Sequence, residues 1–180
     1  MHLIGIDLND KKNFNTFLEC IEKSFPEKER TSIEMYTKFS NYGGRPFFTM
    51  EGEIMLGVCY CFDGGNITYI YYLAINESLR GRGFGSKTLK TLKKHFFDKP
   101  LALSIETISD EPNTLRRYQF YKANGFKEQN LYYSWQGVSL MLLSDQNIDL
   151  REYQETFGKL FNYYDYKTNI KRPFWTGNSY

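Results

Sequence analysis

Three β-rich runs follow one another near the middle of the chain, with only short turns between them. They are RPFFTM, EIMLGVCYCF and ITYIYYLAI, separated by Glu51-Gly52 and by Asp63-Gly64-Gly65-Asn66. β-Branched and aromatic residues dominate the runs, while glycine, aspartate and asparagine are typical of turns. Short connections of this composition are those of hairpins, so the pattern predicts an antiparallel meander over residues 45–75.

The rest of the chain alternates between helical and extended patterns. Apolar residues recur at helical spacing on both sides of the meander, and Pro26 and Pro100 each end such a stretch. A strand after the helix that follows the meander would be reached by a right-handed crossover and would be parallel. The predicted helices cover residues 12–24, 27–40, 83–99, 113–124 and 150–161, and the further strands cover residues 101–107, 126–134 and 137–143.

The composition is that of one packed domain. A chain of 180 residues with 41% hydrophobic and 18% aromatic residues can bury a sizeable core, but it is too short for two ordinary domains. The formal net charge of only +2 argues against a strongly basic nucleic-acid-binding protein. No run approaches the roughly 20 apolar residues of a membrane span, and the N-terminus lacks the pattern of a signal peptide. We therefore expect a cytoplasmic protein that does not associate with membranes.

The three cysteines, Cys20, Cys59 and Cys61, indicate a reducing compartment. Cys59 and Cys61 would share one face of a single strand, where a disulfide is geometrically poor. We expect these two to be core residues and do not propose them as nucleophiles. With two histidines and no thiol or carboxylate cluster at ligand spacing, the sequence predicts no metal site.

A glycine-rich cationic loop, RGRGFGSKT (residues 80–88), directly follows the third β-rich run. The phosphate loop of nucleoside triphosphatases needs Gly immediately before Lys, where this chain has Ser86. The dinucleotide fingerprint would also place its third glycine at Ser86, and it would open a parallel strand–helix unit. What remains is a helix N-terminus with bare backbone N–H groups, which attracts anions. Seven Lys or Arg against one acid between Arg80 and Lys99 add to that attraction.

Two segments together resemble a known family. LAINESLRGRGFGSKTLKTL resembles the acetyl-coenzyme A signature of the GCN5-related N-acetyltransferase (GNAT) superfamily, and NTLRRYQFYKANGF resembles the next helix of that family. The SFPEKER stretch is also similar, so the resemblance covers about residues 12–143. It implies an α/β fold with a mixed, mostly antiparallel central sheet of about six to seven strands and helices on both faces. We expect the family domain at 1–145, and at 146–180 a C-terminal helix and aromatic tail that pack on it or extend it.

The resemblance also implies a site for acetyl-coenzyme A. The loop backbone would wrap the pyrophosphate, and a side chain at Gly83 or Gly85 would stand between the amides and the anion. The loop cations, including Lys87, would add charge around the phosphates. The pantetheine arm would pair with the edge of the third β-rich run, while Asn113 would either bond that arm or simply cap its helix. The cofactor-binding residues predicted in this way are Leu73, Ala74, Ile75, Arg80, Gly81, Arg82, Gly83, Phe84, Gly85, Ser86 and Asn113.

Acetyl transfer to an amine needs a base for the ammonium and an acid for the departing thiolate. An alkylammonium with a pKa near 10.4 is deprotonated in only about one part in two thousand at pH 7. Glu106 is the carboxylate that could accept this proton, directly or through water, or it could merely bind solvent or a cation. Tyr121 matches the general acid of the family, the alternative being a core aromatic. A backbone N–H near Leu73 or Ala74 would stabilise the oxyanion of the tetrahedral intermediate.

The sequence leaves the acceptor open between a small-molecule amine and a peptide amine. Glu27, Glu29 and Glu34, in or near the segment between the first two helices, could attract a cationic amine or be solvated. Three aromatic residues and the tail could border the acceptor groove, ordinary surface packing being the alternative. The tail could also dock against a second copy, which leaves a homodimer open. The aromatic residues meant are Tyr132, Tyr133, Trp135 and those of Tyr163 to Tyr180.

Three other functions remain open at this point. The loop binds the coenzyme and not the acyl group, so a donor other than acetyl-coenzyme A is compatible with it. A coenzyme A-binding regulatory or interaction module without catalysis would carry the same signature. An aminoacyl-tRNA acceptor would suit the basic helix after the loop, whereas the net charge of +2 argues against nucleic acid.

Overall fold

The computed structural model describes residues 1–135 and 138–157. Seven strands of the described residues form the mostly antiparallel open sheet that the resemblance implied, and the α/β class is confirmed. The chain divides into two compact units, residues 1–63 with 68–98, and residues 64–67 with the chain from 99 onward.

The first unit contains the meander, with the strand order β1-β2-β3-β4. Strand β2 pairs antiparallel with both β1 and β3. The turn pattern predicted the pairing of β2 with β3. Strand β1 was not predicted, because four mostly exposed residues carry no alternation that a sequence pattern could reveal. The elements are β1 (His2–Gly5), α1 (Lys11–Ser24), α2 (Ile33–Ser40), β2 (Gly44–Glu51), β3 (Ile54–Gly64), β4 (Ile67–Ile75) and α3 (Phe84–His95).

The helix predicted over residues 27–40 is only partly formed. A short 3-10 turn covers Glu27–Glu29, and α2 begins at Ile33. Between them the backbone N–H of Thr31 donates to the Tyr72 hydroxyl at 3.0 Å instead of to a helix carbonyl. A contact from β4 therefore replaces the helical hydrogen bond and interrupts the helix that the local pattern favours.

The core of the first unit is aromatic. Phe14, Phe17 and Ile21 form the buried face of α1, at the spacing of one helix side. Phe17 packs edge-to-face against Tyr36 of α2, with ring centroids 5.6 Å apart, and Tyr36 packs against Tyr60 of β3 at 5.1 Å. Edge-to-face pairs of this kind stabilise a core beyond the area they bury, which fixes α1 and α2 on the meander.

The two cysteines of β3 are core residues, as predicted. Cys59 and Cys61 are buried and carry free thiols, and they pair in register with Phe47 and Arg45 of β2. A hydrogen bond with Cys59 and burial both raise the pKa of the Cys61 thiol well above its ordinary value. The thiolate is the nucleophilic form of cysteine, so this thiol is held in its unreactive form.

The second unit has the strand order β5-β7-β6, and both of its strand pairs are antiparallel. Residues 150–157 are helical, in agreement with the start of the predicted C-terminal helix. The remainder of that prediction and the aromatic tail from Tyr163 lie outside the described residues. The other elements are β5 (Leu101–Glu106), α4 (Pro112–Ala123), β6 (Lys127–Trp135) and β7 (Val138–Ser144).

Candidate active site

The chain leaves β4 through a turn that is tied to β3. Asn76 donates its backbone N–H to the Leu56 carbonyl and its side-chain Nδ2 to the Met55 carbonyl, both at 2.8 Å. A 3-10 turn then covers Glu77–Leu79, and the Arg80 side chain donates from Nε to the Ile75 carbonyl at 3.0 Å. The start of the glycine-rich loop is therefore held at a fixed place beside the end of β4.

The end of β4 lies unusually close to β3 at Gly57. A Cβ atom at Gly57 would lie 2.0 Å from the carbonyl oxygen of Ala74 and 2.9 Å from the Cα of Ile75. Both are backbone atoms, so any side chain at Gly57 would push this part of β4 away. Sequence reasoning did not assign Gly57 a role, although a glycine inside an apolar strand signals such an approach. The backbone positions of Ala74 and Ile75, two predicted coenzyme-binding residues, therefore depend on a glycine at position 57.

Two neighbouring tyrosines of β4 form hydrogen bonds with the segment between α1 and α2. The Tyr71 hydroxyl lies 3.1 Å from Thr31 Oγ1, while Tyr72 accepts from the Thr31 N–H at 3.0 Å and donates to the Glu29 carbonyl at 2.6 Å. These hydrogen bonds fasten the α1–α2 segment to β4.

The glycine-rich loop presents bare amides at the start of α3. Gly81 and Gly83 have φ values of 76° and 79°, and a Cβ atom at either would meet nothing within 4 Å. Gly83 is the N-cap of α3 and supplies no capping side chain. By helix geometry the amides of Gly85 and Ser86 have no intrahelical acceptor, and no acceptor meets them in the described part of the chain. The loop can therefore receive an anion, as the sequence predicted.

The cation Lys87 is partly engaged by the protein itself. Its Nζ lies 3.0 Å from Glu51 Oε1 at the end of β2, and 5.0 Å from the centroid of the Phe84 ring. A cation in the first turn of a helix is opposed by the helix dipole, and Glu51 offsets that cost. Arg82 is exposed beside it. Sequence reasoning missed Glu51, because this ion pair joins residues 36 positions apart.

The acidic residues of the α1–α2 segment are only partly available. Glu34 forms an ion pair with Lys38 one helical turn away on α2. Glu27 and Glu29 lie in the 3-10 turn. Arg30, beside them, donates to the carbonyls of Phe25 and Glu22 at 2.8 Å each and so caps the C-terminal end of α1. The Glu34 carboxylate therefore already has a cationic partner, and the attraction of this segment for a cationic amine stays a prediction.

In the second unit, α4 carries Asn113 and Tyr121. Helix α4 begins at Pro112 with Glu111 at the N-cap position, so Asn113 is not the cap of this helix and stays exposed. The Tyr121 ring lies against Phe120 and Phe126, with centroids 5.0 and 5.6 Å apart, and its side chain is half-buried. Tyr121 thus has the packing of a core aromatic and also a route to solvent.

The carboxylate of Glu106 forms an ion pair with Arg117. Glu106 is the last residue of β5 and Arg117 lies in α4, and Arg117 Nη1 donates to Glu106 Oε2. The two side chains are 34% and 46% exposed, so solutes can reach both. The prediction singled out Glu106 but missed Arg117, which sits eleven positions further along the chain.

A second carboxylate of this unit is held by two tyrosines. Tyr118 of α4 donates to Glu128 Oε1 at 2.6 Å, and Tyr132 of β6 donates to Oε2 at 2.8 Å. These hydrogen bonds lower the pKa of the Glu128 carboxyl, and the bond from Tyr118 has the larger effect. The same bonds raise the pKa values of Tyr118 and Tyr132, so both phenols stay protonated. Tyr132, for which the sequence left groove lining and surface packing open, helps to fix α4 to β6.

The cluster predicts a pH-dependent contribution to stability. The folded-state pKa of Glu128 lies below its ordinary value of 4.5, so the stabilisation is present above pH 4.5 and is lost as the pH falls through the folded-state value. We expect Glu128→Gln to lower the urea midpoint more at pH 7 than at an acidic pH, where the loss shrinks as the Glu128 carboxyl becomes protonated. Glu155→Gln, an exposed carboxylate of the same unit, is the control and should change neither value. An equal loss at both pH values would contradict the assignment.

The described residues contain neither a membrane-spanning helix nor a cluster of metal ligands. No helix there is both long and apolar enough to cross a membrane. No group of three or more histidine, cysteine, aspartate or glutamate side chains is arranged there to hold a metal ion.

Comparison with known proteins identifies the family. The acetyltransferase (GNAT) family model matches residues 12–126. The Bacillus subtilis (strain 168) acetyltransferase YjbC is 35% identical over 60 residues, which span 33% of this chain and 30% of that protein. A GNAT-family protein of Bacteroides thetaiotaomicron has a TM-score of 0.76 and 23% identity over 90% of this chain and 97% of its own. A B. subtilis acetyltransferase in complex with coenzyme A has a TM-score of 0.57 and 13% identity, covering 82% and 99%.

The matched region contains the meander, the glycine-rich loop, α3, β5 and α4, in the order that the loop signature implied. The family match, and not the fold alone, supports an acyltransferase. The chain belongs to the acetyltransferase (GNAT) family, and the resemblance deduced from its sequence is confirmed.

Proposed function

We propose that this protein transfers an acetyl group from acetyl-coenzyme A to a primary amine by direct attack, without an acyl-enzyme. The observation that carries the proposal is the loop after β4, where Gly81 and Gly83 leave open space in front of unpaired amides at the start of α3. Helix N-termini of this kind bind phosphate groups. The complex of the B. subtilis relative with coenzyme A supports this choice of ligand.

In the proposed reaction the lone pair of the free amine attacks the thioester carbonyl. The carbon–sulfur bond breaks as the tetrahedral intermediate collapses, which leaves an amide and the thiolate of coenzyme A. The amine nitrogen loses one proton to Glu106 or to water, and the thiolate takes one proton from Tyr121. A backbone N–H at Leu73 or Ala74 stabilises the oxyanion before it collapses. The products are the N-acetylated acceptor and free coenzyme A.

The remaining predicted residues bind the coenzyme in this proposal. Backbone groups of Leu73, Ala74 and Ile75 pair with the pantetheine arm, whose amide Asn113 also bonds. Backbone N–H groups of residues 81–86 receive the pyrophosphate, and the side chains of Arg80 and Arg82 add positive charge. The acceptor is a small-molecule or peptide amine, and we place the reaction in the cytoplasm. We propose residues 1–145 as the catalytic domain, with the chain from 146 packed on it or extending it.

Calorimetry with coenzyme A and acetyl-coenzyme A tests the binding half of the proposal. Release of free thiol with a broad panel of primary amines tests the catalytic half. Binding without thiol release from any amine would instead favour a regulatory module. Substitution of succinyl- and longer acyl-coenzyme A for the acetyl form identifies the donor. The absence of coenzyme binding would overturn the proposal whatever the family.

The pairing of Lys87 predicts an effect of Glu51 on coenzyme affinity. The neutralised Lys87 offers less attraction to a phosphate, so we expect Glu51→Gln to tighten the binding of coenzyme A. The pair is exposed and therefore weak, about 0.5 kcal/mol, which corresponds to roughly a twofold to threefold change in Kd. Calorimetry at low salt measures it, and the gain should shrink at high salt. Glu53→Gln, in the same hairpin, is the control; weaker binding by Glu51→Gln would contradict the role given to Lys87.

A further inference from the structure

The Glu106–Arg117 pair has unused hydrogen-bonding capacity on both partners. Arg117 donates from Nη1 to Glu106 Oε2, and in the described part of the chain its Nε and Nη2 groups meet no acceptor. Glu106 Oε1 likewise receives no hydrogen bond from the described residues. Guanidinium groups donate in a planar fork suited to carboxylates, so Arg117 can hold a second carboxylate while it remains near Glu106.

A simple alkylamine fits this pair poorly. Its ammonium group would have to draw the Glu106 carboxylate away from Arg117, which leaves the guanidinium without its partner. A polar group that loses its partner on binding lowers the affinity, and more so for a charged group. An acceptor with both an ammonium and a carboxylate on the same carbon atom avoids this loss. Its ammonium can pair with Glu106 Oε1 while its carboxylate pairs with the free donors of Arg117.

We propose that the acceptor is an α-amino acid, and that the Glu106–Arg117 pair binds its ammonium and carboxylate groups together. The inference rests on the acetyl transfer proposed above and names the substrate class of that reaction. Arg117 is a specificity-determining residue in this scheme, and Glu106 keeps its place as the proton acceptor.

The experiment compares matched acceptors. With acetyl-coenzyme A as the donor, acetylation of each of the twenty amino acids is compared with acetylation of its carboxamide. For the best amino acid, the amine that remains after removal of the carboxylate is tested as well. For leucine the set is leucine, leucinamide and 3-methylbutylamine. An α-amino group next to an amide has a pKa near 7.7–8.0, so the carboxamide offers more free amine at pH 7 than the amino acid does. A preference for the amino acid over its carboxamide can therefore not come from a larger fraction of free amine.

We expect the best amino acid to have a kcat/KM at least about tenfold above those of its carboxamide and its amine, the size of one charge-assisted hydrogen bond. In Arg117→Met that ratio should fall to about one, and in Arg117→Lys it should be partly kept. Arg116→Met, the neighbouring exposed arginine of α4, should keep the full ratio. Arg117 is exposed, so its variants should fold, which the thermal midpoint checks.

Two results would overturn the inference. One is equal or better acetylation of carboxyl-free amines by the unsubstituted protein. The other is a preference for amino acids that survives in Arg117→Met. Either leaves the acetyl transfer itself intact, since thiol is still released. Failure to release thiol with every amine and amino acid, although calorimetry detects acetyl-coenzyme A, would instead contradict the proposed reaction together with this inference.

Discussion

Tyr121→Phe is expected to lower the turnover of a good acceptor at least tenfold, while binding of acetyl-coenzyme A changes little. Without the phenol, the thiolate must take its proton from water. An ordinary phenol and thiol differ by only about 1.5 in pKa, so the phenol can give up this proton at a cost of about 2 kcal/mol. Tenfold in rate corresponds to about 1.4 kcal/mol, which is less than the roughly hundredfold or more that general acids typically contribute. Steady-state kinetics and calorimetry on the same preparation measure the two effects.

The substitution keeps the ring and so isolates the hydroxyl. Phenylalanine preserves the contacts with Phe120 and Phe126, whose centroids lie 5.0 and 5.6 Å away. Tyr118→Phe is the matched control on the same helix, because the Tyr118 hydroxyl bonds Glu128 instead. We expect that variant to lose a little stability and no turnover. Unchanged turnover in Tyr121→Phe would leave Tyr121 only its packing role.

The sequence predicted those parts of the fold whose signals are local. The turns around Gly52 and at residues 63–66 mark the meander, and helical periodicity marks α1 and α3. Strand β1 was not predicted, because its pairing with β2 joins residues more than forty positions apart in the chain. The early part of the predicted second helix failed because Tyr72 takes the Thr31 amide. In both cases a tertiary contact determined the outcome, and no short sequence window contains it.

The candidate site divides in the same way. The glycine-rich loop could be found because its function depends on consecutive residues, whose backbone conformation glycine alone permits. Glu106 could be singled out from its place at a strand end, but its partner Arg117 lies on the following helix. Glu51 beside Lys87, and Gly57 beside Ala74, also depend on elements that meet only after folding. Sequence therefore predicts the coenzyme loop better than the groups that tune it.

Gly83→Val is expected to weaken the binding of coenzyme A at least about a hundredfold. A Cβ atom at Gly83 meets no protein atom within 4 Å, so the protein itself leaves room for a valine there. In the proposed complex the same space receives the pyrophosphate, and the side chain would hold the anion away from the amides of α3. A hundredfold change is about 2.7 kcal/mol, which is what one or two lost charge-assisted hydrogen bonds supply. Calorimetry with coenzyme A measures it.

Strain at a positive φ must be separated from loss of the ligand contact, and Gly52 provides the comparison. Gly52, in the β2–β3 turn, has φ 60°, and a Cβ there also meets nothing within 4 Å. Gly52→Val should therefore carry a similar backbone cost, about 1–3 kcal/mol of stability, without affecting the coenzyme. We expect both variants to lower the thermal midpoint alike and only Gly83→Val to lose affinity. With valine at position 83 the anion could not approach the amides as closely as the hydrogen bonds require. Equal affinity in the two variants would therefore mean that the amides of this loop do not bind the diphosphate.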